Sequence, residues 1–407
     1  MSSLDHLTSA RRVLMLQGPM GGFFRDVASW LRQQGIVCYK INFNGGDRWF
    51  FSDDFAIDYR GTLQDFQDWL DELVQKLNID AIVCFGDCRL YHAKAAKFCQ
   101  NSKVDFLVFE EGYLRPDYIT LEIGGVNAFS NIHPSQIEQH AKAHDQPIKT
   151  EPSFALMVWS ACWYYLAWMA MQHRYPNYQH HRLLTPSQEI VAWGRALRRR
   201  ITNYVPDHYK KWRIDRDWAH NYFVVALQVH NDSQVRVHSQ YADVSDFIVE
   251  TLESFAQHAA SRHTLVIKHH PMDRGYRNYR QLIRRHAERL GVERRVRYVC
   301  DVHLPSLIKK SLGLITINST TGLQALFHAK PVKVMGSAIY DIPRLTTQKD
   351  LHEFWRAPCP VDRDYYLRFR ELLLEQTQLN GSFYGLSPWM DSPMDQNNQR
   401  HAVTKHD

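Results

Sequence analysis

Cysteine is sparse in this 407-residue chain and follows no pattern. The seven cysteines stand at 38, 84, 88, 99, 162, 300 and 359, with no CxxC pair and no Cys/His zinc spacing. A disulfide framework and a zinc module are thereby excluded, and a reducing compartment is expected. Charge of one sign is nearly balanced: 49 Lys+Arg against 43 Asp+Glu leave +6. That surplus does not by itself argue for nucleic acid, although it suits phosphate-bearing ligands or an anionic membrane surface. The opening MSSLDHLTSARRVLMLQG places Asp5 and His6 before a very short apolar run, so no signal or transit peptide is expected and the site of action is read as cytoplasmic. No repeat of fixed period is present. What remains is a globular composition, 44% hydrophobic and 13% aromatic, which excludes a wholly disordered chain, collagen and a coiled-coil rod. Its length suits two or three domains of about 150 residues.

Short apolar runs alternate with helical spacing. Val13 to Leu16, Ile36 to Ile41, Ala81 to Phe85 and Phe106 to Phe109 read as strands, with helices over 25–34, 63–77 and 90–99. A second series starts near Tyr222, with strands over 223–229, 264–268, 296–300, 313–317 and 331–335 and helices over 244–260, 276–290, 304–310 and 321–328. Alternation of this kind predicts two α/β units with parallel sheets, whose ligands sit at the carboxyl ends of the strands. Four polar stretches follow strands of the second series: Gln228 to Gln234, which includes Asp232 and Ser233; Lys268-His269-His270-Pro271; Asn318-Ser319-Thr320-Thr321; and Gly336 to Asp341, which includes Tyr340. Cation, imidazoles, hydroxyls and a helix N-terminus together suit an anion, and the four loops suit a nucleotide-type donor. A histidine that merely ties its loop, or a simple helix cap, is the plainer alternative. No HxxxH and no HxH with an acid accompanies His269-His270, the hydroxyl run lacks a P-loop ending, and no DxD constellation stands out as a metal clamp; no metal site is expected.

In the first series the candidates are Gln17 and Gly18 in a Gly-rich turn, Asn44 to Asp47, Asp87, and Glu110-Glu111-Gly112 with Arg115 nearby. Neither Gly-rich stretch matches GxGxxG, so a dinucleotide fingerprint is absent. Consecutive strand residues face opposite ways, so one of the two glutamates points to a cleft while the other braces the loop. Glu111 is expected at the cleft and Glu110 as the brace of Arg115 or the turn.

The strings QGPMGGFF, FNGGDR, CFGDCR, FEEGYLRPDYIT, GGVNA, QVHNDSQ, VIKHHPMDRG, TINSTTG and VMGSAIYDI, in that order over roughly residues 11 to 378, strongly resemble the KpsS-type capsular polysaccharide proteins. The resemblance implies a GT-B-like α/β fold, two Rossmann-like domains facing a cleft with the donor held mainly by the second. It also implies a retaining β-Kdo glycosyltransferase that moves Kdo from CMP-β-Kdo to lysophosphatidylglycerol, starting the poly-Kdo linker of a Gram-negative capsule. By the same likeness, His270-Pro271 and Ser319 to Thr321 bind the CMP phosphate and Glu111 is the catalytic carboxylate. That family commonly has Glu-Asp-Gly where this chain has Glu110-Glu111-Gly112. No cofactor is implied, since one phosphate can be stabilised by protein donors. The implied partners are the cytoplasmic face of the inner membrane, the related C-type Kdo transferase and the capsule ABC exporter, with no nucleic acid. Competing readings are a transferase for another CMP- or UDP-sugar and a non-catalytic capsule assembly or export factor.

Phe154 to Met171 is uncharged over 18 residues, at the lower edge of a bilayer span of about 17 to 25 residues. Two units sharing one active site could not lie on opposite sides of a membrane, so a buried connector helix or an interfacial anchor is expected, with the basic residues at 195, 198–200, 210, 211 and 213 facing anionic headgroups. The expected divisions are 1–150, a helical connector 151–219, a donor domain 220–378 and a disordered tail 379–407.

Overall fold

The computed structural model describes residues 2–140, 147–180, 186–231, 235 and 237–391. Its contacts divide the chain into two compact units: unit 1 comprises residues 1–131, 143–181 and 371–407, and unit 2 comprises 132–142 and 182–370.

Unit 1 is built on a seven-stranded sheet of order β12-β6-β5-β4-β1-β2-β3. Its strands are β1 (Arg12–Met15), β2 (Val37–Asn42), β3 (Ala56–Asp58), β4 (Ala81–Phe85), β5 (Asp105–Glu111), β6 (Tyr118–Ile123) and β12 (Gln378–Asn380). The first five run parallel, while at one edge β6 pairs antiparallel with β5 and β12 antiparallel with β6. Side chains alternate between the two faces as the pleat requires: Val13 and Met15 join one buried cluster with Phe23, Val27 and Leu31, and Leu14 and Leu16 join the other with Phe66 and Leu70. Helices cover both faces, which is why the strands read as near-continuous apolar runs.

Unit 2 has a five-stranded parallel sheet, order β11-β10-β7-β8-β9. Its strands are β7 (Tyr222–Ala226), β8 (Thr264–Lys268), β9 (Val296–Val299), β10 (Gly313–Thr316) and β11 (Val332–Val334). Helix Val244–His258 begins at a capping box, with Asp243 accepting from the Ser245 N–H and Asp246 accepting from the Asp243 N–H. Its buried face carries Phe247, Ile248, Leu252 and Phe255, the i, i+1, i+5, i+8 spacing of one helical stripe. Two Rossmann-like units in one chain, with the α/β class read from the sequence, are what is found.

The expected divisions are corrected in two places. Residues 151–219 are no separate connector: helix Phe154–Ala170 belongs to unit 1 and helix Pro186–Asp217 to unit 2. The chain from 379 onward is no uniform tail, because β12 pairs with β6, Phe383 packs edge-on against Phe23 at 4.8 Å, and Trp389 against Trp30 at 5.1 Å. These aromatic anchors are diluted by polar neighbours in sequence and bury apolar area through partners about 280 to 360 positions earlier. Residues 392–407 lie outside the described residues.

The Gly-rich stretch FNGGDR is a short helix, Gly45–Phe50, capped by the Asn44 side chain, which accepts from the Asp47 N–H at 3.0 Å. Its glycines serve close packing on helix Phe154–Ala170. A Cβ on Gly45 would stand 2.3 Å from the Ala167 carbonyl, and one on Gly46 would stand 2.6 Å from the Tyr164 ring.

Candidate functional site

In each unit the strand order reverses beside the first strand, between β1 and β4 in unit 1 and between β7 and β10 in unit 2. Carboxyl ends of strands at such a reversal leave a crevice for ligands.

At the unit 1 reversal, Gln17 follows β1 and Asp87 follows β4. Gln17 is buried; its side-chain amide donates to Asp47 Oδ2 at 3.1 Å, to the Tyr164 hydroxyl at 2.9 Å and to the Tyr178 hydroxyl at 3.1 Å. Arg89 donates to Gln17 Oε1 and to the Gly18 carbonyl, both at 3.2 Å. Asn44 Nδ2 donates to the Tyr164 hydroxyl at 2.7 Å. The expected ligand residues Gln17, Gly18, Asn44 and Asp47 are therefore gathered, but into an internal polar network closed by Tyr164 and Tyr178. That is a correction to their reading as open rim contacts: a buried amide and carboxylate must be satisfied, and here protein hydroxyls do so. Asp87 is buried as well and accepts from the Val126 N–H at 3.0 Å.

The two glutamates at the end of β5 separate as the pleat demands. Glu111 is the exposed one and faces Arg115, its Oε2 3.8 Å from a guanidinium nitrogen. Glu110 is partly buried, and one of its oxygens lies 3.4 Å from where a Cβ on Gly86 would stand. Arg115 is therefore met by Glu111, while Glu110 accepts from the Glu111 N–H at 3.0 Å and so braces the turn, the other half of its expected role; it shares the strand face of Val108 and lies near enough to Asp87 and Arg89 to feel their charges. Its carboxyl is pushed up to about 7, first by loss of water around it, then by the charges of Glu111 and Asp87, against the Glu111 N–H bond and Arg89. Glu122, opposite Val108 on β6, is also raised to about 7 by burial; it accepts from the Tyr113 hydroxyl at 2.5 Å and is hydrogen-bonded by Ser130. Perturbed carboxyls at a strand end are a signature of acid–base sites. Glu122, Arg89 and Tyr164 were missed from sequence. Glu122 lies on a strand not recognised there, and Tyr164 reaches Gln17 across 147 positions.

At the unit 2 reversal, Gln228 and Asn318 form a reciprocal amide clamp. Gln228 Nε2 donates to Asn318 Oδ1 at 2.9 Å, and the Asn318 N–H donates to Gln228 Oε1 at 3.1 Å. Both are buried. The hydroxyl run follows: Ser319 Oγ lies 3.0 Å from Thr321 Oγ1 and accepts from the Thr321 N–H at 3.2 Å, with Thr320 opening helix Thr321–Phe327. Tyr340, fully buried, donates to the Ser319 carbonyl at 2.5 Å and so holds this turn. Asp341 accepts from Thr346 at 2.7 Å and ties its own loop.

After β8, the three basic residues diverge. Lys268 is buried and its ammonium donates to the His269 carbonyl at 2.9 Å and the Cys300 carbonyl at 2.6 Å. It is a strut beneath the turn, correcting its expected place as a phosphate contact; burial lowers its pKa, and backbone carbonyls supply the partners. His269 turns into the protein between the rings of Tyr279 and Tyr298, each 5.7 Å away, and burial depresses it to about 4. His270 stays partly exposed above Pro271, and its Nδ1 accepts from the Met272 N–H at 3.2 Å. A neutral ring bonded in this way carries its proton on Nε2 and is a donor there. Behind this turn, Asp273 and His230 are joined at 2.5 Å. Asp232, Ser233 and Gln234 lie outside the described residues. A groove of about 620 Å³ beside helix Val244–His258, lined by Glu250, Glu253 and His258, reaches only Gly336 of the four polar stretches.

Paired Rossmann-like units with polar residues gathered at both reversals define a protein of the GT-B-like α/β class. The family model for capsule polysaccharide biosynthesis proteins matches residues 80–384. The chain is 42% identical over 387 residues to the capsule polysaccharide export protein KpsS of Escherichia coli, covering 94% of this chain and 99% of that protein. It is 40% identical over 394 residues to the capsule polysaccharide modification protein LipB of Neisseria meningitidis serogroup B, covering 93% of each. Among solved structures, the β-Kdo 2,7 transferase KpsC of Thermosulfurimonas dismutans is similar at TM-score 0.46 and 15% identity, covering 96% of this chain and 99% of that one. The chain belongs to the capsule polysaccharide biosynthesis family.

Proposed function

We propose that this protein is a glycosyltransferase that moves Kdo from CMP-β-Kdo to lysophosphatidylglycerol with retention. The observation that carries the catalytic part is Glu110 at the end of β5, whose carboxylate accepts from the Glu111 N–H at 3.0 Å and whose burial beside Asp87 raises it to about 7. Retention requires a covalent Kdo–enzyme adduct or a front-face displacement, and in either the acceptor hydroxyl must lose a proton. A base titrating near neutrality suits that task. Glu111, the carboxylate first expected in the role, sits on the opposite face of β5 against Arg115.

Unit 2 holds the CMP moiety. Its phosphate is received by His270 Nε2 and by the turn Ser319 to Thr321, whose backbone is set by the Gln228–Asn318 clamp and by Tyr340. As CMP departs, donors aimed at its phosphate stabilise the developing charge, and one phosphate needs no metal clamp.

The acceptor is a lipid, and the protein works on the cytoplasmic face of the inner membrane without spanning it. No described helix is long and apolar enough to cross a bilayer. Helix Phe154–Ala170 buries Tyr164 and Tyr165 but exposes Phe154, Leu156 and Trp159, next to Trp163, which stacks on exposed Trp49 at 5.4 Å. An aromatic surface of this kind suits the interfacial layer. The basic run contributes less than its sequence implies: Arg195 and Arg199 donate to carbonyls of residues 274, 275 and 277, Lys211 pairs with Asp215 and Arg213 with Asp217. The deciding experiment incubates the protein with freshly generated CMP-Kdo and lysophosphatidylglycerol. A product heavier by one Kdo supports the reading; a folded protein giving none, with an active control transferase, removes it in favour of an assembly role.

A further inference from the structure

Unit 2 contains a second basic cavity that the proposed reaction does not use. It has a volume of about 190 Å³ and lies between helix Pro186–Asp217 and the ends of β8 and β9, lined by Arg199, Arg274, Arg277, Arg280, Asn203 and His269. Four guanidinium groups on one small cavity repel one another, and the compensating charge is incomplete. Arg274 is paired with Asp301, and Arg277 stands 3.5 Å from Asp243. Arg199 spends its donors on the carbonyls of Arg274 and Arg277, at 2.6 and 2.9 Å, and Arg280 reaches only Asn203, at 3.5 Å. Neither Arg199 nor Arg280 forms an ion pair among the described residues.

The acid in the wall is already occupied. Asp207 accepts from the N–H groups of Cys300 and Asp301 at 2.7 and 2.9 Å and from Lys210 at 3.0 Å. It offers little to offset the arginines. Arg199 is lowered, first by burial and then by Arg195 outside the cavity. His269, 2% exposed, leaves its Nδ1 without a hydrogen-bond partner, and Arg274 leaves its Nε in the same state. A positively charged cavity with unsatisfied polar walls is completed by an anion, and planar guanidinium forks match the oxygens of phosphate.

We propose that this cavity binds a phosphate group, as free phosphate or as the headgroup of an anionic phospholipid, at a site separate from the donor's phosphate. The helix that supplies Arg199 and Asn203 exposes Leu197, Ile201, Val205 and Trp212 on its opposite side, away from the cavity, so this surface does not decide between the two sources. These recur at spacings of four, four and seven, an apolar stripe suited to lying on a membrane.

The test titrates inorganic phosphate and, separately, soluble short-chain phosphatidylglycerol into a Ser319→Ala/Thr321→Val protein, so that the donor turn does not contribute. The same titrations are repeated after adding Arg277→Gln and Arg280→Gln, both at exposed positions, with thermal melting of the variant as the check that its fold is intact. Saturable binding that weakens at least about tenfold in the arginine variant, the loss of roughly one charged hydrogen bond, supports the site. Tighter binding of phosphatidylglycerol than of phosphate identifies the headgroup, and equal or weaker binding identifies the free anion. Absence of saturable binding by either probe, or binding indifferent to the arginines, overturns the proposal, and neither result depends on whether Kdo is transferred.

Discussion

The backbone N–H of Glu111 donates to the Glu110 carboxylate at 3.0 Å, while the two side chains leave β5 on opposite faces. The bond ties the exposed last residue of the strand to its partly buried neighbour. It is also the chief influence that keeps Glu110 from rising further than about 7. Turnover is therefore expected to increase as pH passes through about 7, as the base form of Glu110 appears. Glu110→Gln is expected to lose about 100-fold or more in kcat, the scale of general-base removal, and Glu111→Gln much less. A Glu111→Gln protein that is inactive beside an active Glu110→Gln would return the role to Glu111.

The same carboxyl makes stability depend on pH. Its ordinary value is 4.5 and its folded value about 7, so between these the unfolded chain loses its proton first. Stability is then complete below 4.5, falls as pH rises, and carries the full penalty above about 7. Glu110→Gln removes this term: it should match the parent at pH 4 and exceed it at pH 8 by on the order of 1 to 3 kcal/mol. Urea unfolding at the two pH values measures the difference; equal gains at both would show that the carboxyl is not strained in the fold.

Gly46→Ala tests the packing of helix Gly45–Phe50. Alanine is intrinsically the better helix former by about 1 kcal/mol, but its Cβ would stand 2.6 Å from the Tyr164 ring. Displacing that ring disturbs the hydroxyl that serves Gln17 and Asn44, so the clash outweighs propensity and a net loss of about 1 to 3 kcal/mol is expected. A neutral or stabilised variant in chemical denaturation contradicts this account of the two glycines.

Asn318→Ala opens the clamp at the unit 2 reversal. It removes the bond from the buried Gln228 amide to Asn318 Oδ1, at a cost of about 1 to 3 kcal/mol. CMP affinity should drop with it, because the Ser319 turn follows directly. Calorimetry that finds CMP binding unchanged in a destabilised protein would separate the clamp from the donor site.

Membrane attachment is expected to depend on the exposed aromatic surface more than on charge. Burying one such side chain contributes about 1.5 to 3 kcal/mol, so Trp159→Ser should reduce flotation with anionic vesicles roughly tenfold. Salt should weaken binding only in part, since screening acts on the exposed charges. Retention in alkaline carbonate would point to an integral segment, against the interfacial reading.

The sequence by itself determined the α/β alternation, nine of the strands and the stretches that follow them, because apolar runs between helical patterns are local and their period survives in one dimension. Ala81–Phe85 and Thr264–Lys268 even agree to the residue. Tertiary structure alone decided what those stretches do. Whether Glu110 or Glu111 lies beside Asp87, whether Lys268 meets solvent or two carbonyls, and whether Gly45 and Gly46 open a loop or admit a helix depend on partners up to about 120 residues away. β6 and β12 escaped for the same reason: Gln378 pairs with Thr120, and an edge strand completed by so distant a segment carries no local sign of its neighbour. Burial and charge at a site are properties of the assembled surroundings, so the residue types announce a chemistry and only the packed fold assigns it to one side chain.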